Sequence, residues 1–291
     1  MTNKNLPLIS VVIPNHNYGE FLKDAILSIL AQDYPKVEII VVDNGSTDES
    51  KVILESFEPK IRCIFQENLG QAFARNRGIK ESKGELIALM DSDDIWNPDK
   101  LSKQFEIITS EAQLVYCGMQ VFEDLGQDRI YHEELRGKFK GDCKFDFVRL
   151  FGPTVVLGGE STALFTRELY KKVGRLDESL SAASGWDFFR RASLYTNFDF
   201  NEEPLVLYRR HNSNFSKKLD TYICEHLGAY QKALNEPASR QGFVQAFLKL
   251  TFLRLIYLRL AIKKHNKTLF KHIFYFHKFS RNPLYNCRMY Q

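Results

Sequence analysis

Two carboxylates one residue apart, at the end of an apolar run, offer the first chemistry. Leu86 to Met90 (LIALM) leads into Asp91-Ser92-Asp93-Asp94, and in an extended segment Asp91 and Asp93 point to the same side. Hard oxygen ligands in that number suit Mg²⁺ or Mn²⁺, which complete their shells with water and substrate phosphates. The competing reading is a solvated acidic cluster that caps the helix opened by Pro98, a role open to Asp94. A third acid, Asp43, closes the run EIIVVD and precedes Asn44-Gly45-Ser46-Thr47-Asp48. The residues after it turn the chain and cap a helix. Asp43 itself is an ionised group placed to accept from an imide or a ribose hydroxyl.

These acids need elements that deliver them to one edge. The first ninety residues alternate periods of two and about 3.6, as βαβ units over a parallel sheet require. The pattern predicts strands at 8–14, 38–43, 61–66 and 86–90, with helices over 21–30, from Asp48, and over 71–82. In an open sheet of this kind ligands sit outside the carboxyl ends of the strands, where both acidic segments fall. Beyond them the pattern predicts a helix from Pro98, a strand at 114–121, and a loop and short-helix region over about 123–159. A strand at 162–166, helices from Arg167 and near Trp186, and a strand at 205–209 come next, with everything from about Thr221 helical.

Composition sets the class. The 291 residues are 44% apolar and 26% charged, which excludes a disordered, collagen-like or coiled-coil chain. Five cysteines, odd in number and widely spaced, provide neither a disulfide framework nor a CxxC knuckle and imply a reducing compartment. The apolar stretch at Leu8 stops at Pro14, too short for a signal sequence, and no run reaches the length of a membrane span. A cytoplasmic protein is expected.

Six motifs in order, SVVIPNHN, VVDNGSTDES, NLGQAFARNRGI, GELIALMDSDDIWNPDKL, WDFFRR and EPLVLYRRHNSN, span about Ile9 to Asn214. Together they resemble the family-2 glycosyltransferases of the GT-A fold, which act in bacterial cell-surface polysaccharide synthesis. The resemblance implies an α/β fold with a mostly parallel central sheet flanked by helices. It also implies a nucleotide-sugar donor, UDP first among the bases, and inversion at the anomeric carbon on transfer to a glycan or lipid-linked acceptor. It places Pro14, Asn17, Asp43, Asn44, Arg75 and Asn76 around the donor, and Asp91 near both ribose and metal. Asp93 becomes a direct ligand of Mn²⁺ or Mg²⁺, His211 closes over the metal or diphosphate, and Trp186 faces the acceptor. Asn44 stands where many members carry a second Asp. The general base of the family usually precedes the Trp of a DWD-like segment, and this chain has Gly185 there, which cannot take a proton. Asp187 or Glu160 is left as the candidate base, and Asp187 has the alternative role of a helix first-turn acid.

Two other classes compete. A sugar-nucleotide-binding protein with weakened or no catalysis would keep Asp43 and Asp93 and lose the base. A nucleotidyltransferase would carry a basic, Gly-rich phosphate loop after the first strand, where PNHNYGEF stands instead. The chain is also asymmetric in charge. After Glu236 there are eleven basic side chains and no acid, so with a net charge of +4 overall, residues 1–236 carry −7. The resemblance ends near Asn214 and the helical pattern starts near Thr221, so residues 1–218 are read as the GT-A domain that the resemblance implies and 219–291 as a basic, aromatic-rich helical region. Its basic and apolar residues suit packing on the core or docking on an anionic membrane at the inner face, and no nucleic-acid motif accompanies them.

Overall fold

The structure is a computed structural model, and it describes residues 6–125, 128–144, 146–148, 155–156, 159–180, 182–214, 219–235, 247–248 and 251–255. The chain begins with β1 (Ile9–Asn15), α1 (Gly19–Leu30), β2 (Val37–Asn44), α2 (Ser50–Ser56), β3 (Arg62–Gln66), α3 (Gln71–Glu81) and β4 (Leu86–Leu89). Strand β1 is buried at all seven positions because helices cover both faces of the sheet. Alternation then sorts its side chains. Ile9, Val11 and Ile13 join Leu22, Ala25 and Ile26 of α1 in one core, and Val12 joins Ala72 and Ile79 of α3 in the other. Helix α3 lies close against the sheet at Gly78, where a Cβ would sit 2.3 Å from Val12 Cγ1.

The remaining elements are β5 (Ile95–Trp96), α4 (Lys100–Ile107), β6 (Leu114–Leu125), β7 (Asp128–Leu135), β8 (Leu164–Thr166), α5 (Arg167–Val173), α6 (Ser184–Ala192), β9 (Phe198–Arg209) and α7 (Leu219–Asn235), with a 3₁₀ turn at Gly159–Thr162. The sheet order is β3-β2-β1-β4-β8-β6-β9-β5, with β7 on β6. The first four strands are parallel, as expected. In the other half the long pair β6 and β9 is also parallel, in keeping with the expected mostly parallel sheet, while β8 runs antiparallel to β4 and β6, β5 to β9, and β7 to β6. Strand β7 replaces part of the expected loop region with a hairpin. All its residues but the last are exposed, so it lacks the buried-face alternation that marks a strand in sequence.

Helix α7 packs on the rest of the molecule. Ala229 clusters with Leu180 and Ala183, Tyr230 meets Trp186 at a ring distance of 4.5 Å, and Glu225 accepts from the Ala183 N–H. The expected region 219–291 otherwise lies outside the described residues, apart from 247–248 and 251–255. Among the described residues no helix is long and apolar enough to cross a membrane.

Candidate active site

The turns after β1 and β2 are laced together. Asn15 Nδ2 donates to Asp43 Oδ2 at 3.1 Å and to Ser46 Oγ at 3.2 Å, while Asp43 Oδ1 accepts from the Ser46 N–H. Asn17, at φ 57°, accepts from the Thr47 N–H at 2.7 Å, and its own N–H donates to Ser46 Oγ. Gly45, at φ 76°, makes the reversal that a side chain would strain. Pro14 is buried on β1, and Asn17 is exposed. Asn15 is a residue that sequence reasoning missed. Its Oδ1 is buried without a partner, although its place in PNHN at a strand end was visible.

Asn44 and Asn76 are both held by hydrogen bonds to neighbouring segments. Asn44 Oδ1 accepts from Gln66 Nε2 and the Leu69 N–H, and its Nδ2 donates to Asn68 Oδ1. Asn76 Nδ2 donates to the Leu176 carbonyl and Glu178, and its Oδ1 accepts from the Leu176 N–H and the Tyr170 hydroxyl. Both amides tie loops to the scaffold.

After β4 the chain turns so that one oxygen each of Asp91, Asp93 and Asp94 lies within 4.8 Å of the others. The cost of this crowding falls on the charged forms. Burial, reinforced by neighbouring carboxylates against the pull of Arg75, pushes Asp91 up to about 6. Burial, with Asp93 and Asp91 beside it, raises Asp94 well above the usual carboxylate range. Asp94 Oδ2 is buried without a partner. Hard oxygen donors, mutual repulsion and an orphaned carboxylate oxygen are together what a divalent cation would satisfy, so these residues fit Mg²⁺ or Mn²⁺.

The strand β9 and the residues after it close one side. His211 Nε2 lies 2.9 Å from Asp93 Oδ2, Asn214 Nδ2 donates to the same oxygen, and the Tyr18 hydroxyl reaches the Ser213 carbonyl. Arg209, also missed in the sequence, is buried with its guanidinium 5.0 Å from the Phe21 ring and 4.9 Å from that of Phe122. It donates to the Asp93 carbonyl and pairs with Asp24 and Asp124. The basic pair in YRRHN gave no sign of which Arg turns inward.

On the other side, Arg75 of α3 is fully buried and holds Asp91 at 2.5 Å through one nitrogen and Glu160 through another. Burial favours its neutral form, but the carboxylates of Glu160 and Asp91 outweigh that and raise its pKa. Ser161, on the same 3₁₀ turn as Glu160, accepts from the Asp91 N–H at 2.8 Å. Asp187 is not brought here. Its carboxylate is buried against Arg190 at 3.4 Å and Arg191 at 2.8 Å, and Arg191 continues to the carbonyls of Val173 and Arg175. Both its oxygens serve the junction of α6 with the segment after α5. Trp186 lies between Phe147 and Tyr230.

Across residues 10–174 the sequence matches the profile of glycosyl transferase family 2. The chain belongs to that family. An uncharacterized glycosyltransferase of Rickettsia typhi is 34% identical over 218 residues, covering 72% of this chain and 66% of that protein. TuaG of Bacillus subtilis, named for a proposed role in teichuronic acid biosynthesis, is 40% identical over 116 residues, covering 38% and 46%. The chain thus spans two thirds or less of the length of the first curated relatives it matches. Among solved structures, Staphylococcus aureus TarS 1–349 in complex with UDP-GlcNAc aligns with a TM-score of 0.69 at 16% identity, covering 96% of this chain and 79% of that one. The mannosyltransferase PcManGT of Pyrobaculum calidifontis, with GDP-Man and Mn²⁺, aligns with a TM-score of 0.62 at 16% identity, covering 99% and 87%. This family-2 chain therefore carries the GT-A fold, and the Asp91–Asp93–Asp94 group lies at its carboxyl-end edge.

Proposed function

We propose that this chain transfers a sugar, with inversion, from a nucleotide-diphosphate sugar to a glycan or lipid-linked acceptor in polysaccharide or glycoconjugate synthesis. UDP is the first choice of nucleotide. The carrying observation is the three-carboxylate group beside the Asp43 turn, in a chain of this family. UDP-GlcNAc on TarS and GDP-Man with Mn²⁺ on PcManGT support the donor class. The name of TuaG supports the acceptor class.

In this reading Asp43 accepts from the nucleotide, Pro14 and Asn17 border the base, and Asn44 and Asn76 hold the loops in place. Asp91, Asp93 and His211 would hold Mn²⁺ or Mg²⁺, and His211 Nε2 already meets Asp93 Oδ2. The bound cation would supply charge neutralisation for the departing diphosphate. Arg75 fixes the Asp91 carboxylate, Arg209 fixes the main chain of Asp93, and the Trp186 side receives the acceptor. Holding both substrates turns a bimolecular attack into an effectively intramolecular one. The protein works in the cytoplasm, with its basic C-terminal region directed to the inner face of the membrane.

The test is nucleotide release from UDP-Glc, UDP-GlcNAc, UDP-Gal and GDP-Man with Mn²⁺, with and without EDTA. Turnover of one donor, abolished by EDTA, is expected. Asp93→Ala should remove the Mn²⁺-dependent part of UDP affinity in calorimetry, and equal affinity in both proteins would refute the cation assignment.

A further inference from the structure

The Glu160 carboxylate and the α-carbon of Gly185 compete for one volume. A Cβ at position 185 would lie 2.3 Å from Glu160 Cδ and 2.5 Å from its Oε1. Those atoms are not free to swing away, since Oε1 is paired with Arg75 and lies 3.5 Å from Ser184 Oγ. The absence of a side chain at 185 is therefore what admits a carboxylate from the 3₁₀ turn at Gly159–Thr162 to the N-terminus of α6.

We infer that Glu160 is the general base of the transfer, delivered from the turn before β8 into the space that Gly185 leaves. The inference rests on the transferase reading above. Arg75 binds Glu160 through one nitrogen and Asp91 through the other, so the base and the cation site lie on opposite flanks of a single guanidinium. Arg75 and Ser184 both meet Oε1, and the side chain keeps 12% of its surface exposed. With Oε1 engaged, Oε2 is the oxygen left to the acceptor hydroxyl. Asp187, the other candidate, has both oxygens on arginines.

In the transfer, the acceptor oxygen forms a bond to the anomeric carbon, and the bond from that carbon to the diphosphate oxygen breaks. Its electron pair leaves with the nucleoside diphosphate, and the hydroxyl proton passes to Glu160 Oε2. A positioned base contributes about 10²–10⁴-fold to such a step. Gly185 accordingly marks a base that has changed its element, and the chain remains a competent enzyme.

The experiment uses the full chain and the donor of the panel that wild type turns over fastest, with water as the acceptor. Glu160→Gln, which keeps size and a hydrogen bond to Arg75, should lower kcat by at least about 100-fold. KM and calorimetric UDP–Mn²⁺ affinity should stay within about twofold. The exchange variant Glu160→Gly with Gly185→Asp returns a carboxylate to the same volume from α6 and should exceed Glu160→Gly alone by at least about tenfold. Wild-type kcat in Glu160→Gln, a loss of UDP–Mn²⁺ affinity in parallel with kcat, or no gain in the exchange variant would each overturn the assignment. A wild type that turns over no donor overturns the transferase reading and the base together, which separates the two failures.

Discussion

Asp94 shows how a single side chain reports on the cation site before any substrate is added. Its carboxylate is buried, one oxygen is unpartnered, and Asp91 and Asp93 stand beside it. Burial and those neighbours raise its pKa in the folded protein. The folded state therefore holds a proton that the unfolded state has released, and stability falls as pH rises through the raised value. Asp94→Asn removes the charge at nearly constant shape. Without cation at pH 7.5 it should melt above wild type, and the gap should close on acidification, as wild type protonates; each 1 kcal/mol corresponds to about 2–4 °C at this size. Mn²⁺ should stabilise wild type most above about pH 6, because Asp91, raised to about 6 chiefly by burial, takes up a proton below it. Differential scanning fluorimetry from pH 5 to 8, with and without Mn²⁺, reads both effects. A gap independent of pH would contradict this assignment of charge.

At the scale of elements, α3 carries Arg75 on a helix fastened at two levels. Gly78 sets its approach to β1, and Asn76 staples it to the segment after α5 through both groups of Leu176, with Tyr170 and Glu178 added. Asn76→Ala would leave the Leu176 N–H and carbonyl unpaired in the interior. A loss of about 3 kcal/mol in urea unfolding is expected, since each orphaned buried group costs about 1–3 kcal/mol. UDP affinity of the folded fraction should stay near wild type. Unchanged stability with lost affinity would return Asn76 to the donor. The ARN segment illustrates the limit of motif reading: Arg75 and Asn76 are adjacent and both buried, yet one turns to the acidic edge and the other to a structural loop.

For the whole molecule, the acidic body and the basic C-terminal segment predict an electrostatic docking surface. Helix α7 extends to Asn235 and packs through Tyr230 and Ala229 on the α6 region, so the excess of basic charge belongs to the residues C-terminal to this helix. Eleven basic side chains without an acid after Glu236 should bring the full chain down with vesicles rich in anionic lipid. Neutral vesicles should bind less, and binding should fall with salt, because the Debye length is only about 8 Å at physiological ionic strength. Truncation after Asn235 keeps the contacts of α7 with the α6 region, losing the 3.4 Å hydrogen bond from Arg254 to Gln231 Oε1, and should abolish binding while UDP affinity persists. Equal cosedimentation with neutral and anionic vesicles would refute the electrostatic docking.

The sequence by itself determined the parallel half of the sheet, since β1, β2 and β4 are buried on both faces and their apolar runs reveal it. It also determined the acidic clusters at the strand ends, because a strand's carboxyl end is known once the strand is. The hairpin partner β7 and the two-residue β5 escaped it: the first has no buried face, and the second is too short to show a period. Tertiary structure alone decided which polar residues meet. Glu160 and Arg75 are 85 positions apart, Arg209 and Asp93 are 116 apart, and no local spacing encodes either pair. The same holds for Gly185. In sequence it reads as a missing carboxylate, and only packing shows that the space it leaves is filled by another.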